Sequence, residues 1–277
     1  MYRTDPLFSD DATAIDTTKP SIARAYDAAL NGKDNYEVDR EFLQRILAVA
    51  PEAKQIAWDN RMFLTRVIRF LTYRAGVTQF LDCGSGLPTA ENTHQVAQRI
   101  RPEARVVYVD NDPVVLTYGR ALLQDNDHTH LIGADIFDPH QIIDDMNVRK
   151  CLDFSEPIAL LQNGTLHHYG GPRSPADIMR EYIDALPSGS YVVLSHFLDP
   201  ETKEHSELAR RIEQVFLRSP IGCGWFRTRA EIEGMFPGLE LLEPGLTRCA
   251  EWWPDGPQIT PLHPVQHCIA GGVGRKP

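Results

Sequence analysis

Cysteine is scarce in this chain. There are five among 277 residues, Cys83, Cys151, Cys223, Cys249 and Cys268, an odd number with no Cys-x-x-Cys pair. That pattern excludes a disulfide framework and a structural zinc site as the organising element, and it fits a reducing, cytoplasmic setting. Positive charge is also in deficit. Lys and Arg total 28 against 38 Asp and Glu, a formal net charge of −10. No dominant basic patch is therefore expected for binding nucleic acid or an anionic membrane. Long hydrophobic runs are missing, so no window reads as a membrane span. The opening stretch MYRTDPLFSDDATAIDTTKP is polar and acidic and lacks the apolar centre of a secretory signal. Internal repeats and low-complexity tracts are absent. What the chain does have is 42% hydrophobic residues, enough for a substantial core, and a length that suits one large α/β domain with an added helical piece.

Hydrophobic periodicity divides the chain near residue 75. Residues 1–19 read as a loose arm, and Ser21 reads as the cap of a first helix that stops at Asn31-Gly32. Helices are expected over 38–49, with Phe42, Leu43, Ile46 and Leu47 on one face, and over 52–74. After Gly76, strands near 78–82, 105–110, 129–133, 157–163 and 190–197 alternate with helices near 90–101, 112–124, 138–146 and 174–186. Several of these strands are continuously apolar, as when both sheet faces are covered. Alternating strands and helices predict a doubly wound parallel sheet with right-handed crossovers. Further on, helices near 201–217 and 228–235 and strands near 239–242 and 265–270 are expected. The last two strands can pair antiparallel across the Trp252-Trp253-Pro254 loop.

The richest stretch is Phe80-Leu81-Asp82-Cys83-Gly84-Ser85-Gly86. An apolar run ends in a carboxylate and breaks into two glycines, and the next strand ends in a second carboxylate, Asp110. Glycines let a backbone approach a ligand, a helix start offers free N–H groups, and an acid at the second strand end can accept both hydroxyls of a ribose. This is the outline of a nucleotide-type cofactor site at the carboxyl edge of a parallel sheet. The third glycine of a dinucleotide fingerprint is absent, since Leu87, Pro88 and Thr89 follow. No Tyr-x-x-x-Lys arrangement follows the fourth strand either, which counts against a nicotinamide-dependent oxidoreductase.

The chain resembles class I S-adenosylmethionine-dependent methyltransferases. Within them it is similar to an actinobacterial family of S-adenosyl methyltransferases long described as a domain of unknown function. The resemblance rests on PSIARAYDAALNGKDNYEVDREF (20–42), DNRMFLTRVIRFL (59–71), QFLDCGSGLPTAENTHQVAQ (79–98), ARVVYVDNDPVVLTYGRALL (104–123), LHHY (166–169), GSYVVLSHF (189–197), GLELLEPGL (238–246) and GGVGRKP (271–277). It implies a Rossmann-like sheet of seven strands, mostly parallel with one antiparallel strand near the C-terminus, carried by residues 76–277. A helical lid over residues 1–75 goes with it. The wider superfamily has glycine where this chain has Pro88, a departure that reshapes the loop.

The implied cofactor is S-adenosyl-L-methionine. Gly84 and Gly86 would approach it, Asp82 would help orient its amino group, and Asp110 would take the ribose hydroxyls with Asn111 beside it. Asp135 would accept from the adenine amino group, Ile136 would pack on the ring, and Asn163 ends the fourth strand. His167 and His168 are candidate bases at a strand end, with a structural role as the other reading; His196 is placed similarly. Tyr26, Lys33, Asp34 and Asn35 either line the cofactor or acceptor pocket or form a solvated turn between helices. Asp112 and Asp138, each just before a proline, read as helix caps, as does Thr89. Trp225-Phe226 and Trp252-Trp253 form an apolar acceptor pocket or anchor loops. His263, His267 and Cys268 lack metal-ligand spacing, and no metal is expected. The expected partner is a small-molecule methyl acceptor, with a homo-oligomer left open. A cofactor-binding regulator without catalysis is the alternative from another class.

Overall fold

A computed structural model of the chain describes residues 15–88, 91–122 and 126–277. The parallel strands β1 (Gln79–Cys83), β2 (Arg105–Asp110), β3 (Thr129–Gly133), β4 (Ala159–Asn163) and β5 (Tyr191–Phe197) form the centre of one sheet. β8 (Ile269–Arg275) runs antiparallel beside β5, and β6 (Glu240–Leu241) pairs with its far edge, giving the order β3-β2-β1-β4-β5-β8-β6. An eighth strand of two residues, β7 (Thr247–Arg248), pairs with β8 off this path. The strand order reverses between β1 and β4, and there the loops at the carboxyl ends part to leave a crevice.

Both sheet faces are covered, which explains the unbroken apolar strands. Along β1 and β2, Phe80, Val106 and Tyr108 enter one hydrophobic cluster, and Leu81, Val107 and Val109 enter another. The first cluster packs against α2 (Glu37–Val49), α3 (Lys54–Tyr73), α4 (Thr93–Ile100) and α9 (Lys203–Leu217). The second packs against α6 (Pro139–Ile143), α7 (Met146–Cys151), α8 (Pro175–Ala185) and α10 (Arg229–Glu233). Phe63, Val67, Ile68 and Leu71 of α3 are wholly buried among sheet residues, so α3 shares the sheet's core. Helix α5 (Pro113–Leu122) follows β2.

Helix α1 (Ile22–Ala29) begins where Ser21 accepts the Arg24 amide, the cap read from the sequence. Arg24 and Asp39 are both buried and paired at 2.8 Å, and Asp39 also accepts the amides of Ser21 and Tyr36. This one carboxylate therefore ties the start of α1 to the start of α2. Ile15 and Ala23 pack with Leu87 and Val114, which brings the segment before α1 over the glycine loop.

Two boundaries differ from the sequence reading. The helix expected over 138–146 ends at Ile143, and a separate helix, α7, starts where Asp145 accepts the amides of Asn147 and Val148. The last strand covers Ile269–Arg275 rather than 265–270, and a 3₁₀ turn, Pro264–Cys268, takes the earlier place. Its glycines hid it. A Cβ at Gly271 would come within 2.7 Å of the Phe63 ring, so the strand gives up side chains where α3 lies against it. The tryptophan pair resolves toward anchoring: Trp252 is fully buried, edge-on to Phe63 and Phe70, and Arg66 donates to its carbonyl.

Candidate cofactor and acceptor site

A cavity of about 780 Å³ opens at the carboxyl ends of β1, β2, β3 and β4, beneath α1 and α2. Its wall includes Tyr26, Gly84, Gly86, Asp110, Asn111, Asp135, Ile136, His167 and His168. Asp82, Asn163, Lys33, Asp34 and Asn35 stand outside it.

The glycine loop makes one end. Gly84 and Gly86 have φ of 77° and 64°, backbone that disfavours a side chain. A Cβ on Gly84 would meet Thr165 at 2.4 Å, which presses this loop against the loop after β4. A Cβ on Gly86 would meet nothing within 4 Å, so its backbone faces open space. Ser85 between them also lines the cavity, and its buried hydroxyl has no partner among the described residues. The amides of Gly86 and Asp112 each donate to Asp110 at 2.9 Å. Burial pushes the Asp110 carboxyl up, and those amide bonds pull it back. Asp135 accepts the Phe137 amide, and Tyr182 donates to the Ile136 carbonyl, fixing this corner.

The residues outside the wall have visible employment. Asp82 is buried and accepts Thr93 Oγ1 at 2.6 Å, and burial raises its carboxyl to about 6. Asn163 and Asn60 both receive the Ser195 hydroxyl, at 3.0 and 2.5 Å, so Asn163 is drawn toward β5. Asn60 also donates to the Tyr26 hydroxyl, which itself donates to the Ala57 carbonyl. In the turn between α1 and α2, Asp27 accepts the Asp34 amide and the Asn35 side chain, and Lys33 is exposed. The polar residues at 31–35 thus build a helix–helix turn. Asp112 accepts the Val114 amide as a cap, whereas Asp138 takes the Gln141 side chain. Thr89 lies outside the described residues. Asn60, Ser85 and Arg24 reach the site without having been singled out; a polar residue on the buried face of α3 was the available signal for Asn60.

Histidines make the other end with an aromatic cluster. His167 stacks on Phe197 at 3.6 Å, and Phe197 in turn meets Phe216 and Phe226. The Phe197 amide donates to Nδ1 of His167 at 3.4 Å, which leaves the ring proton on Nε2. His168 Nδ1 lies 3.4 Å from Cys223 Sγ. Arg227 donates to Nε2 of His196 at 2.7 Å, so His196 carries its proton on Nδ1 and gives it to the Phe197 carbonyl. Arg227 also donates to the carbonyls of Leu166 and Tyr169, stapling the histidine turn to β5. Burial lowers all three histidines, His168 to about 4 and His196 to about 3, so each is a neutral imidazole at pH 7. Among the described residues no group of His, Cys, Asp or Glu is placed to hold a metal ion, and all five cysteines are free. No helix among them is long and apolar enough to cross a membrane.

A sheet of this order, with a reversed strand between the fifth and the edge and a glycine loop open to a crevice, defines a Rossmann-like protein of the class I methyltransferase type. The model of a family described as S-adenosyl methyltransferase matches residues 9–277, and the chain belongs to that family, whose cofactor is S-adenosyl-L-methionine. A candidate methyltransferase from Thermobifida fusca is 43% identical, with TM-score 0.88 and coverage of 94% of this chain and 96% of that one. A DUF574 family protein from Streptomyces avermitilis is 35% identical, with TM-score 0.88 and coverage of 95% and 99%. No curated protein matches the sequence.

Proposed function

We propose that this protein transfers a methyl group from S-adenosyl-L-methionine to a small molecule enclosed in the same cavity. The observation that carries the reading is the glycine-loop end: open backbone at Gly86, a Ser85 hydroxyl with no partner among the described residues and the Asp110 carboxylate converge on one space. A nucleoside fits those groups. Asp110 accepts the ribose hydroxyls on its remaining lone pairs, with Asn111 beside it. Asp135 accepts from the adenine amino group, and Ile136 lies against the ring. Gly84 and Gly86 let the chain approach the amino-acid end. Asp82 stands behind the loop, bonded to Thr93, and Asn163 shares the Ser195 hydroxyl with the wall residue Asn60.

When bound, the sulfonium supplies an already activated methyl group, so the protein's remaining work is alignment and handling of the acceptor's proton. His167, with its proton on Nε2, is a donor. His168 is an acceptor at Nε2 when its Nδ1–H points at Cys223. The cover over the site is α1 with the segment before it, held to α2 by Arg24 and Asp39.

Calorimetric titration with S-adenosylhomocysteine, with NAD in parallel, tests the reading. Binding of the former alone is expected. The variant Asp110→Ala is expected to weaken it by roughly 1.5–3 kcal/mol, the loss of hydrogen bonds to a charged acceptor. Parent-like affinity in that variant would remove Asp110 from the ribose site, and binding of NAD alone would move the protein to the oxidoreductases.

A further inference from the structure

The wall of the cavity changes character along its length. Among the described residues its charged side chains are Asp16, Lys19, Arg24, Asp110, Asp112 and Asp135. All of them belong to the ends of β2 and β3 or to the start of α1 and the segment before it. The far end, between α2, α9 and the end of β5, is lined by Phe42, Ile46, Phe197, Ile212, Phe216 and Ile221. Phe42 and Phe216 meet edge-on at 5.2 Å, and Phe197 and Phe216 lie 5.6 Å apart, so two helices and a strand converge on one aromatic lining. Among the polar groups that reach this end are His167 and His168, whose rings lie 4.3 Å apart, and Asn60, which accepts the Ser195 hydroxyl of β5.

We infer that this far end is the methyl-acceptor subsite and that it takes an uncharged, flat aromatic molecule whose single polar heteroatom meets His167 and His168. The inference rests on the cofactor occupying the glycine-loop end. A volume of about 780 Å³ is toward the upper end for one small ligand, which leaves room for a second molecule beside a nucleoside. An apolar wall gives a charged acceptor no compensation for the water it leaves behind, and neither histidine carries a charge to offer it. The ring edges and faces around Phe197 and Phe216 suit another ring. The two imidazoles divide the recognition of the heteroatom. His167 presents an N–H, because its Nδ1 is occupied by the Phe197 amide, and His168 presents a lone pair at Nε2 when its Nδ1–H points at Cys223. A hydroxyl or a ring N–H satisfies such a donor–acceptor pair, whereas a carboxylate or an ammonium leaves one of the two facing its own kind. Arg227 is a positioning residue here, since it holds the backbone of the histidine turn and does not itself line the cavity.

The test uses the full chain at neutral pH and three probes sharing one ring system: naphthol, naphthoate and naphthylmethylammonium. Each is titrated by saturation-transfer NMR and calorimetry with S-adenosylhomocysteine at saturation. Naphthol is expected to bind without displacing the nucleoside, and at least about tenfold tighter than either charged probe, as desolvation of an unpaired charge requires. Phe216→Ala and Ile221→Glu, one on α9 and one in the loop after it, are each expected to weaken naphthol about tenfold while S-adenosylhomocysteine affinity stays within about twofold. That retained affinity also shows that the variants fold. Equal or tighter binding of a charged probe would overturn the acceptor class. So would no naphthol signal, or displacement of the nucleoside by naphthol, or naphthol affinity indifferent to both substitutions. A flat S-adenosylhomocysteine titration of the parent protein would instead overturn the cofactor reading on which the subsite assignment stands.

Discussion

Asp82 and Asp110 lie on neighbouring strands and on the same face of the sheet, yet Asp110 stands two residues nearer the carboxyl edge, and that gives them different work. Asp110 meets the loop amides and the cavity; Asp82 is buried behind the loop with the Thr93 hydroxyl. Both acids were legible, because each closes an apolar run, but which of them faces a ligand depends on the register between the strands and on the loop path, which spacing does not encode. The same limit explains the turn at 31–35, where Asp34 and Asn35 spend their hydrogen bonds on Asp27. Asn60 offered only its place on the buried face of α3, because its partners Tyr26 and Ser195 lie 34 and 135 residues away. Asp82 yields a prediction with a definite sign. Burial raises its carboxyl from 3.8 to about 6, so the native state favours the neutral acid. That contribution is fully present below pH 3.8 and is lost as pH rises through 6. Asp82→Asn keeps a carbonyl for Thr93 and removes the titration. Relative to the parent, the variant should therefore gain stability between pH 4 and pH 7, by about 2–3 kcal/mol for a shift of this order. Urea unfolding of both proteins across that range measures it, and a pH-independent difference would show that Asp82 titrates as an exposed acid.

The elements divide in the same way between what a pattern carries and what packing decides. Helices α1, α2 and α3 and strands β1 to β5 follow from apolar periodicity and caps, and they fall close to the expected places. The two-residue strand β7 has too little sequence to carry a pattern, and β8 was displaced because its glycines, Gly271 opposite Phe63 among them, break the apolar pattern. The contact between α1 and α2 is another case. In the sequence Arg24 and Asp39 are two charges on amphipathic helices, and surface positions would be the ordinary reading. In the fold they are 2% and 0% exposed, and together they fix the cover. Removing one partner strands a buried charge, at a cost of about 3–5 kcal/mol. Arg24→Met should therefore release α1 and the segment before it without melting the sheet. Hydrogen exchange should quicken in residues 15–30, where Arg24 also holds the carbonyls of Asp16 and Lys19, and should change little in β1 to β5. Global loss of protection instead would mean that α1 belongs to the main cooperative unit.

At the scale of the whole molecule, the question is where cover ends and scaffold begins. Charge alone places no boundary, and the change of pattern near residue 75 marks a change of secondary structure more than a change of core. Helix α3 lies in the same hydrophobic cluster as β1, β2 and β5, and α2 contributes Phe42 and Ile46 to it. Helix α1 has a different balance. Its apolar contacts are divided between a small cluster with Leu43 and Ala57 and the patch over Leu87 and Val114, with Ala25 alone reaching the main core. A chain lacking residues 1–35 should therefore keep its sheet, because the cores on both faces remain. It should lose the wall from Ile15 to Ala29 that closes over the glycine loop. Its affinity for S-adenosylhomocysteine should fall by at least about tenfold, since buried contact area leaves the bound state with that wall. In the full chain, nucleoside at a hundredfold excess over its dissociation constant should add about 2.7 kcal/mol of stability, and residues 15–30 should become slower to exchange. Parent-like affinity in the shortened chain would sink the cover and leave α1 as packing. A shortened chain that fails to fold would extend the scaffold to include α1, and the site would then have to admit its ligands through local opening of an otherwise fixed wall.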